Sequence, residues 1–243
     1  MNIRENIERV RERIVEACVR AGRDPNSVTL VAVSKTHPTE SVLLAAEAGV
    51  QHFGENRVEE AQGKIPAVRL RTTQALTWRM IGHLQSRKVK DALTLFQTVD
   101  SVDSVRLAEK LSRAATEAGL TLEILLEMNV SGEVSKYGFQ ATGWSTDPAV
   151  REPLFQAILA LAQLPGLQVR GLMTMAPIVD DMEQTRPVFA ELAALRAAVQ
   201  ETLGLPLPDS SMGMTDDYPI AIEEGATLIR VGRAIFGERA YNN

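Results

Sequence analysis

Val28-Thr29-Leu30-Val31-Ala32-Val33-Ser34-Lys35-Thr36-His37-Pro38 is the stretch on which the fold turns. Apolar and β-branched residues run from Val28 to Val33, and a lysine and then a proline end the run. A short, continuous apolar run bounded by turn signals is how a strand buried on both faces of a parallel sheet reads. The pattern predicts a strand over 28–35 that delivers one amine, Lys35, to its C-terminal end. Thr39 then reads as a helix N-cap with Glu40 in the first turn. Val42, Leu43 and Ala46 form that helix's buried face, and Gly49 is its stop.

The same alternation extends outward in both directions. Upstream, Ile3, Ile7, Val10, Ile14, Ala17 and Ala21 recur at helical spacing, so an extra amphipathic helix over 2–21 precedes the first strand. Downstream, strands are expected at 51–55, 77–85 with its loop, 96–102, 120–130, 168–176, 209–215 and 227–231. Helices are expected at 56–70 and 87–93, after a cap at Asp103, and at 148–164, 180–203 and 216–224. Strands that alternate with helices become parallel through right-handed crossovers, and eight units close a barrel. The first strand is not followed by GxGxxG, which argues against an open dinucleotide-binding sheet. The fold class is therefore α/β: a single (β/α)8 TIM barrel with an extra N-terminal helix. Without a Pro/Gly/Ser-rich linker, residues 1–243 are expected to form one domain. The stretch 131–147 reads as a surface excursion, and Ala234 to Phe236 as a closing segment against the barrel.

Composition narrows the function classes. The 243 residues carry 26 basic and 31 acidic side chains, interspersed, for a formal charge of −5, so no basic face for nucleic acid is expected. The single cysteine, Cys18, cannot form an intramolecular disulfide, which fits a reducing, cytoplasmic setting. The N-terminus is too charged for a signal peptide, and no run approaches the ~20 apolar residues that span a bilayer. His37, His52 and His83 lack metal-ligand spacing. Ser210 and Ser211 lack a nucleophile elbow.

In a (β/α)8 barrel, chemistry sits at the C-terminal ends of the strands, and phosphate binds in the loops after strands seven and eight. Those loops here are Ser210-Ser211-Met212-Gly213 and Val231-Gly232-Arg233. The first offers hydroxyls and a glycine where the backbone turns near a ligand. The second offers backbone N–H groups as a helical turn begins. Either alone is an ordinary turn; together, on adjacent strands, they point to a phosphate. Lys35 on its own reads first as a solvated rim residue, the ordinary case for a lysine at a strand end, and only second as a Schiff-base amine. A sugar-phosphate barrel with an aldolase-like lysine stays open on these grounds.

Longer stretches carry a resemblance. Residues 30–38 (LVAVSKTHP), 53–64 (FGENRVEEAQGK), 78–90 (WRMIGHLQSRKVK), 129–139 (NVSGEVSKYGF), 171–177 (GLMTMAP) and 211–237 (SMGMTDDYPIAIEEGATLIRVGRAIFG) resemble, in order, the pyridoxal 5′-phosphate (PLP) homeostasis protein family. The resemblance implies a barrel like that of alanine racemase. It implies PLP as cofactor, held by Lys35 as a Schiff base, with phosphate at Ser211, Gly213, Gly232 and the backbone of Arg233. Arg230 would face the pyridine nitrogen, and Asn56 would line the cofactor. Arg233 departs from the family's more usual small hydroxyl residue. Arg79 and Arg87 also depart from the usual residues, and both are expected at the periphery, making the rim more basic.

The resemblance further implies intracellular PLP homeostasis rather than turnover, through buffering or delivery to PLP-dependent apoenzymes met transiently. A cation at the ring nitrogen disfavours its protonation and weakens PLP as an electron sink. The chain ends soon after the eighth strand, so a second domain that would complete a racemase site is not expected, and a monomer is. None of Tyr137, Tyr218 and Tyr241 stands out as a catalytic base. Lys136 and the basic tail are candidates for a second PLP site. The alternative is a PLP-dependent amino-acid racemase.

Overall fold

The computed structural model of the chain describes residues 2–133 and 136–238. Helix α1 (Ile3–Arg20) starts at Asn2, whose side chain accepts from the Glu5 N–H, and buries Ile7, Val10, Ile14 and Ala17. Then follow β1 (Thr29–Val33), α2 (Thr39–Glu47), β2 (His52–Glu55), α3 (Val58–Arg69), β3 (Thr77–Met80) and α4 (Val89–Leu95). Next are β4 (Thr98–Val102), α5 (Val105–Glu117), β5 (Leu122–Asn129), β6 (Phe139–Gln140) and α6 (Pro148–Ala162). The chain continues with β7 (Leu167–Met173), α7 (Arg186–Leu203), β8 (Asp209–Ser211), α8 (Tyr218–Glu223), β9 (Leu228–Val231) and α9 (Arg233–Phe236).

The sheet runs β4-β3-β2-β1-β9-β8-β7-β5, and β4 pairs back onto β5, so among the described residues eight parallel strands close a barrel. Closure leaves no free edge. The ninth strand, β6, is a two-residue addition to the C-terminal end of β5. It lies in the stretch read as a surface excursion, which also buries Ala141 and Trp144. Local pairing and burial there escape any periodicity test because the segment is so short.

Several ends differ from the sequence reading. Strand β1 stops at Val33 rather than at Lys35, because the chain turns over Ser34–His37. Pro38, not Thr39, is the cap of α2. The cap of α5 is Ser104, whose hydroxyl accepts from Leu107, while Asp103 bonds His83 instead. Helix α3 starts at Val58, two residues beyond Asn56.

Strand alternation sorts the core into two compartments. Ala32, Phe53, Trp78, Val99 and Leu126 face the helices in one large apolar layer, with Phe53 and Trp78 rings 5.4 Å apart. Val31, Leu125, Met173 and Leu228 form a small apolar plug in the lumen. Gly171 lets β7 approach β8, since a Cβ there would stand 1.8 Å from the Asp209 carbonyl oxygen.

Arg79 corrects an expectation. It is not a peripheral rim cation; it is buried between two helix-facing residues, Trp78 and Met80, and so points into the barrel. Its guanidinium grips Asp100 in a fork, at 2.8 Å and 3.0 Å, and Thr98 Oγ1 donates to the same carboxylate at 3.0 Å. Alternation along β3, which no composition argument registers, places it inside. Arg87 is exposed, as expected. Among the described residues, no helix is long and apolar enough to cross a membrane.

Removing one member of a buried, forked pair strands the other charge, at a cost of about 3–5 kcal/mol. Asp100→Ala should therefore lower the free energy of unfolding by about that amount, read from the midpoint and slope of urea denaturation.

Candidate functional site

Lys35 shares the strand parity of Val31 and Val33, so it stands at the luminal rim where β1 ends. With Val33, His37, Gly232, Arg233 and Gly237 it lines a cavity of about 410 Å³. The His37 ring stacks on Phe236 of α9, centroids 5.0 Å apart, and ties this turn to the chain's closing segment.

The turn itself is held from below. Thr36 has φ +66°, the only non-glycine residue in the left-handed region among the described residues. Its N–H donates to Glu60 Oε1 at 2.5 Å. The Lys64 ammonium, almost wholly buried, donates to the Ser34 carbonyl at 2.6 Å, to Glu55 Oε1 at 2.8 Å and to Glu60 Oε1 at 2.7 Å. Ser34 Oγ completes the group by donating to Glu55 at 2.7 Å. Burial pushes the Glu55 carboxyl above its usual value, against the pull of Lys64. The sequence reading missed this cluster. Glu60 and Lys64 stand at the i,i+4 spacing of a helical ion pair, but spacing does not say that the pair points inward at another loop.

Across the cavity, Gly232 leads β9 into α9. A Cβ on Gly232 would lie 3.3 Å from the Val33 carbonyl oxygen, so the two strand ends meet closely. The first turn of α9 has no side-chain cap, which leaves its N–H donors turned to a ligand or water. The Arg233 guanidinium is held by both Asp216 oxygens, at 2.7 Å and 2.6 Å, on the exposed rim. Only its backbone belongs to the turn.

Deeper down, Arg230 is buried. Its Nη1 donates to Ser211 Oγ at 2.7 Å and its Nη2 to the Thr174 carbonyl at 2.9 Å. Burial lowers its affinity for its proton, opposed by Asp100, Glu127 and Asp217. Having accepted from Arg230, the Ser211 hydroxyl keeps its own hydrogen to donate. Gly213 has φ +90°, and a Cβ there would collide with Ala221 Cβ at 2.6 Å. Packing of α8 therefore accounts for this glycine, rather than a ligand's approach. Asn56 lines a separate hollow of about 340 Å³ with Met80 and His83, and its buried Oδ1 has no partner.

Lys35, Gly232 and Arg233 thus share one cavity, Ser211 and Arg230 are joined in the lumen, and Asn56 lines a separate hollow. Lys136 donates to the Met175 carbonyl at 2.9 Å and pairs with Glu133. The tail residues after 238, Tyr241 among them, lie outside the described residues. Tyr137 stacks on His83 at 4.2 Å, and His83 Nδ1 lies 2.8 Å from Asp103 Oδ2. Among the described residues, no group of three or more His, Cys, Asp or Glu side chains could hold a metal.

A closed barrel with a lysine in the turn after its first strand and an uncapped turn after its last defines a class, and it is the class to which the model of the alanine racemase N-terminal domain family matches over residues 1–240. Within that class the relatives are more particular. The pyridoxal phosphate homeostasis protein of Aquifex aeolicus is 39% identical over 99% of this chain and 100% of its own. The structure of PipY from Synechococcus elongatus, with PLP bound, superposes with TM-score 0.77 at 38% identity, over 94% of this chain and 100% of that one. The chain belongs to the pyridoxal phosphate homeostasis protein family. Alanine racemase of Clostridium difficile shares the fold at TM-score 0.73 and 16% identity, over all of this chain and 57% of its own.

One luminal carboxyl also escaped the sequence reading. Glu127, buried on β5, is pushed up to about 7 by burial and by Asp103, against Arg230 and His83. The folded protein then keeps a proton that the unfolded chain releases, so this residue makes stability fall as pH rises from about 4.5 to about 7. Glu127→Gln should leave stability near pH 4 unchanged and raise it at pH 8, by on the order of 2–3 kcal/mol. Paired urea titrations at the two pH values check this.

Proposed function

We propose that this protein holds pyridoxal 5′-phosphate reversibly on Lys35 and serves intracellular PLP homeostasis, by buffering the cofactor or delivering it to apoenzymes, without a catalytic turnover of its own. The observation that carries this reading is the single cavity onto which the Lys35 turn and the uncapped Gly232–Arg233 turn both open. The residues present fit the group. An uncapped turn suits a phosphate, an unpartnered Asn56 Oδ1 after β2 suits a polar ring substituent, and an amine at the rim suits an aldehyde.

When bound, PLP supplies an electrophilic aldehyde and a pyridine ring that withdraws electrons most strongly when its nitrogen is protonated. The protein's residues divide the remaining work. Lys35 would supply the amine that holds the aldehyde. The backbone N–H groups after Gly232 and the spare hydrogen of Ser211 would hold the phosphate, and Gly213 shapes the adjoining loop. Arg230, fixed by Ser211 and Thr174, has donors and no acceptor to offer a pyridine nitrogen, and so would supply no acid to protonate it. Asp216 keeps the Arg233 guanidinium engaged, which leaves the phosphate to neutral donors and favours release over permanent retention.

The relatives' name, homeostasis protein, agrees with a carrier. In this reading residues 1–243 act as one PLP-binding unit, as a monomer in the cytoplasm. The racemase alternative has on its side only a shared fold at 16% identity. Borohydride treatment of PLP-loaded protein should fix one cofactor on the Lys35 peptide, read by mass spectrometry, and Lys35→Ala should abolish it. Loaded protein should also leave the Cα hydrogens of amino acids unexchanged in deuterium oxide. Rapid exchange dependent on Lys35 would replace the carrier with an enzyme.

A further inference from the structure

The cluster beneath the Lys35 turn has a direction. Two peptide groups adjoin Lys35. The carbonyl of the one before it, from Ser34, accepts from Lys64 Nζ at 2.6 Å. The N–H of the one after it, from Thr36, donates to Glu60 Oε1 at 2.5 Å. Lys64 and Glu60 are themselves bonded at 2.7 Å, one turn apart on α3. One ion pair therefore fastens both peptide planes from which the Lys35 side chain departs. It does so where Thr36 adopts φ +66°, a conformation that a β-branched residue rarely takes without support.

All three donors of the Lys64 ammonium are committed, to Ser34, Glu55 and Glu60. At 7% exposure it contributes nothing to a solvated surface. Burying an ammonium is costly, and a methionine of similar length would pack without that cost. The retained charge is explained if the ammonium sets the geometry of the turn.

We infer that Lys64, acting with Glu60, is a positioning residue that aims the Lys35 amine into the cavity, a role that rests on the proposed capture of PLP by Lys35. Capture joins the lysine nitrogen to the aldehyde carbon and releases one water, so it depends on the amine's approach in a way that phosphate and ring binding do not. The two contributions separate with two ligands. PLP bonds covalently; pyridoxine 5′-phosphate carries an alcohol in place of the aldehyde and fills the same pocket without a bond to lysine.

The experiment compares the full-length wild type with Lys64→Met, Glu60→Ala and Glu60→Gln. Each is titrated with both ligands and followed by absorbance and by borohydride fixation on the Lys35 peptide. Lys64→Met should bind PLP at least tenfold more weakly and be fixed more slowly, while its affinity for pyridoxine 5′-phosphate changes less than twofold. Glu60→Ala, which removes the acceptor for the Thr36 N–H, should share the defect. Glu60→Gln, which keeps that acceptor, should recover most of the capture.

A parallel loss of both ligands would make the cluster merely structural and overturn the inference, as would unaltered PLP capture in Lys64→Met. Should Lys64→Met not fold, the Ala and Gln variants of Glu60 decide alone: equal capture by the two overturns the inference. A wild type that is not fixed by borohydride at all would instead remove the PLP reading on which the inference rests.

Discussion

Parallel pairing of β1 with β9 joins the two ends of the chain's strand series and builds the cavity in the same step. The register sets Val31 beside Arg230 and Ala32 beside Val231. One residue further along, Val33 meets Gly232 so closely that a Cβ on the glycine would touch the Val33 carbonyl. Lys35 and the turn into α9 are consequently neighbours, although about 200 residues of chain separate them. A shift of β1 by one residue in this pairing would send Lys35 to the helix side and part it from the luminal face that carries Arg230, because side chains alternate between faces.

Above and around the apolar plug the lumen is unusually charged. Arg79 with Asp100 and Arg230 with Ser211 and Thr174 are buried in the lumen and joined by short bonds, while Lys64 with Glu55 is buried on the helix side of β2. Desolvation makes each charge costly when unpaired, so the groups constrain one another. Glu127 has no such partner, and its carboxyl is held up to about 7. The barrel's polar interior is thus a set of fixed dipoles and charges, with the raised Glu127 carboxyl among them, arranged around the place where a cofactor ring would lie.

The chemistry available follows from what faces that place. Donors dominate: the uncapped turn of α9, the Ser211 hydroxyl, the Arg230 guanidinium and one lysine amine. Such a set suits an anionic, aldehyde-bearing ligand and gives its ring nitrogen no acid. His83, the ring nearest to being a base, is bound to Asp103 and covered by Tyr137.

Much of this was legible in the chain. The alternation of apolar runs and amphipathic segments gave the eight-fold order, because burial of a strand on both faces and of a helix on one leaves different periods in the sequence. The barrel logic then located Lys35, Ser211 and Gly232 at strand ends, and the family's long motifs gave Lys35 a ligand. The tertiary structure alone decided the rest. That Arg79 lies in the lumen, that Glu60 and Lys64 reach across to hold the peptide groups beside Lys35, that Gly213 packs against α8, and that burial raises the Glu127 carboxyl all depend on which residues from distant segments face each other. Local sequence fixes the direction of a side chain relative to its own strand or helix. What waits at the end of that direction is set by closure of the sheet, and closure is a property of the whole chain.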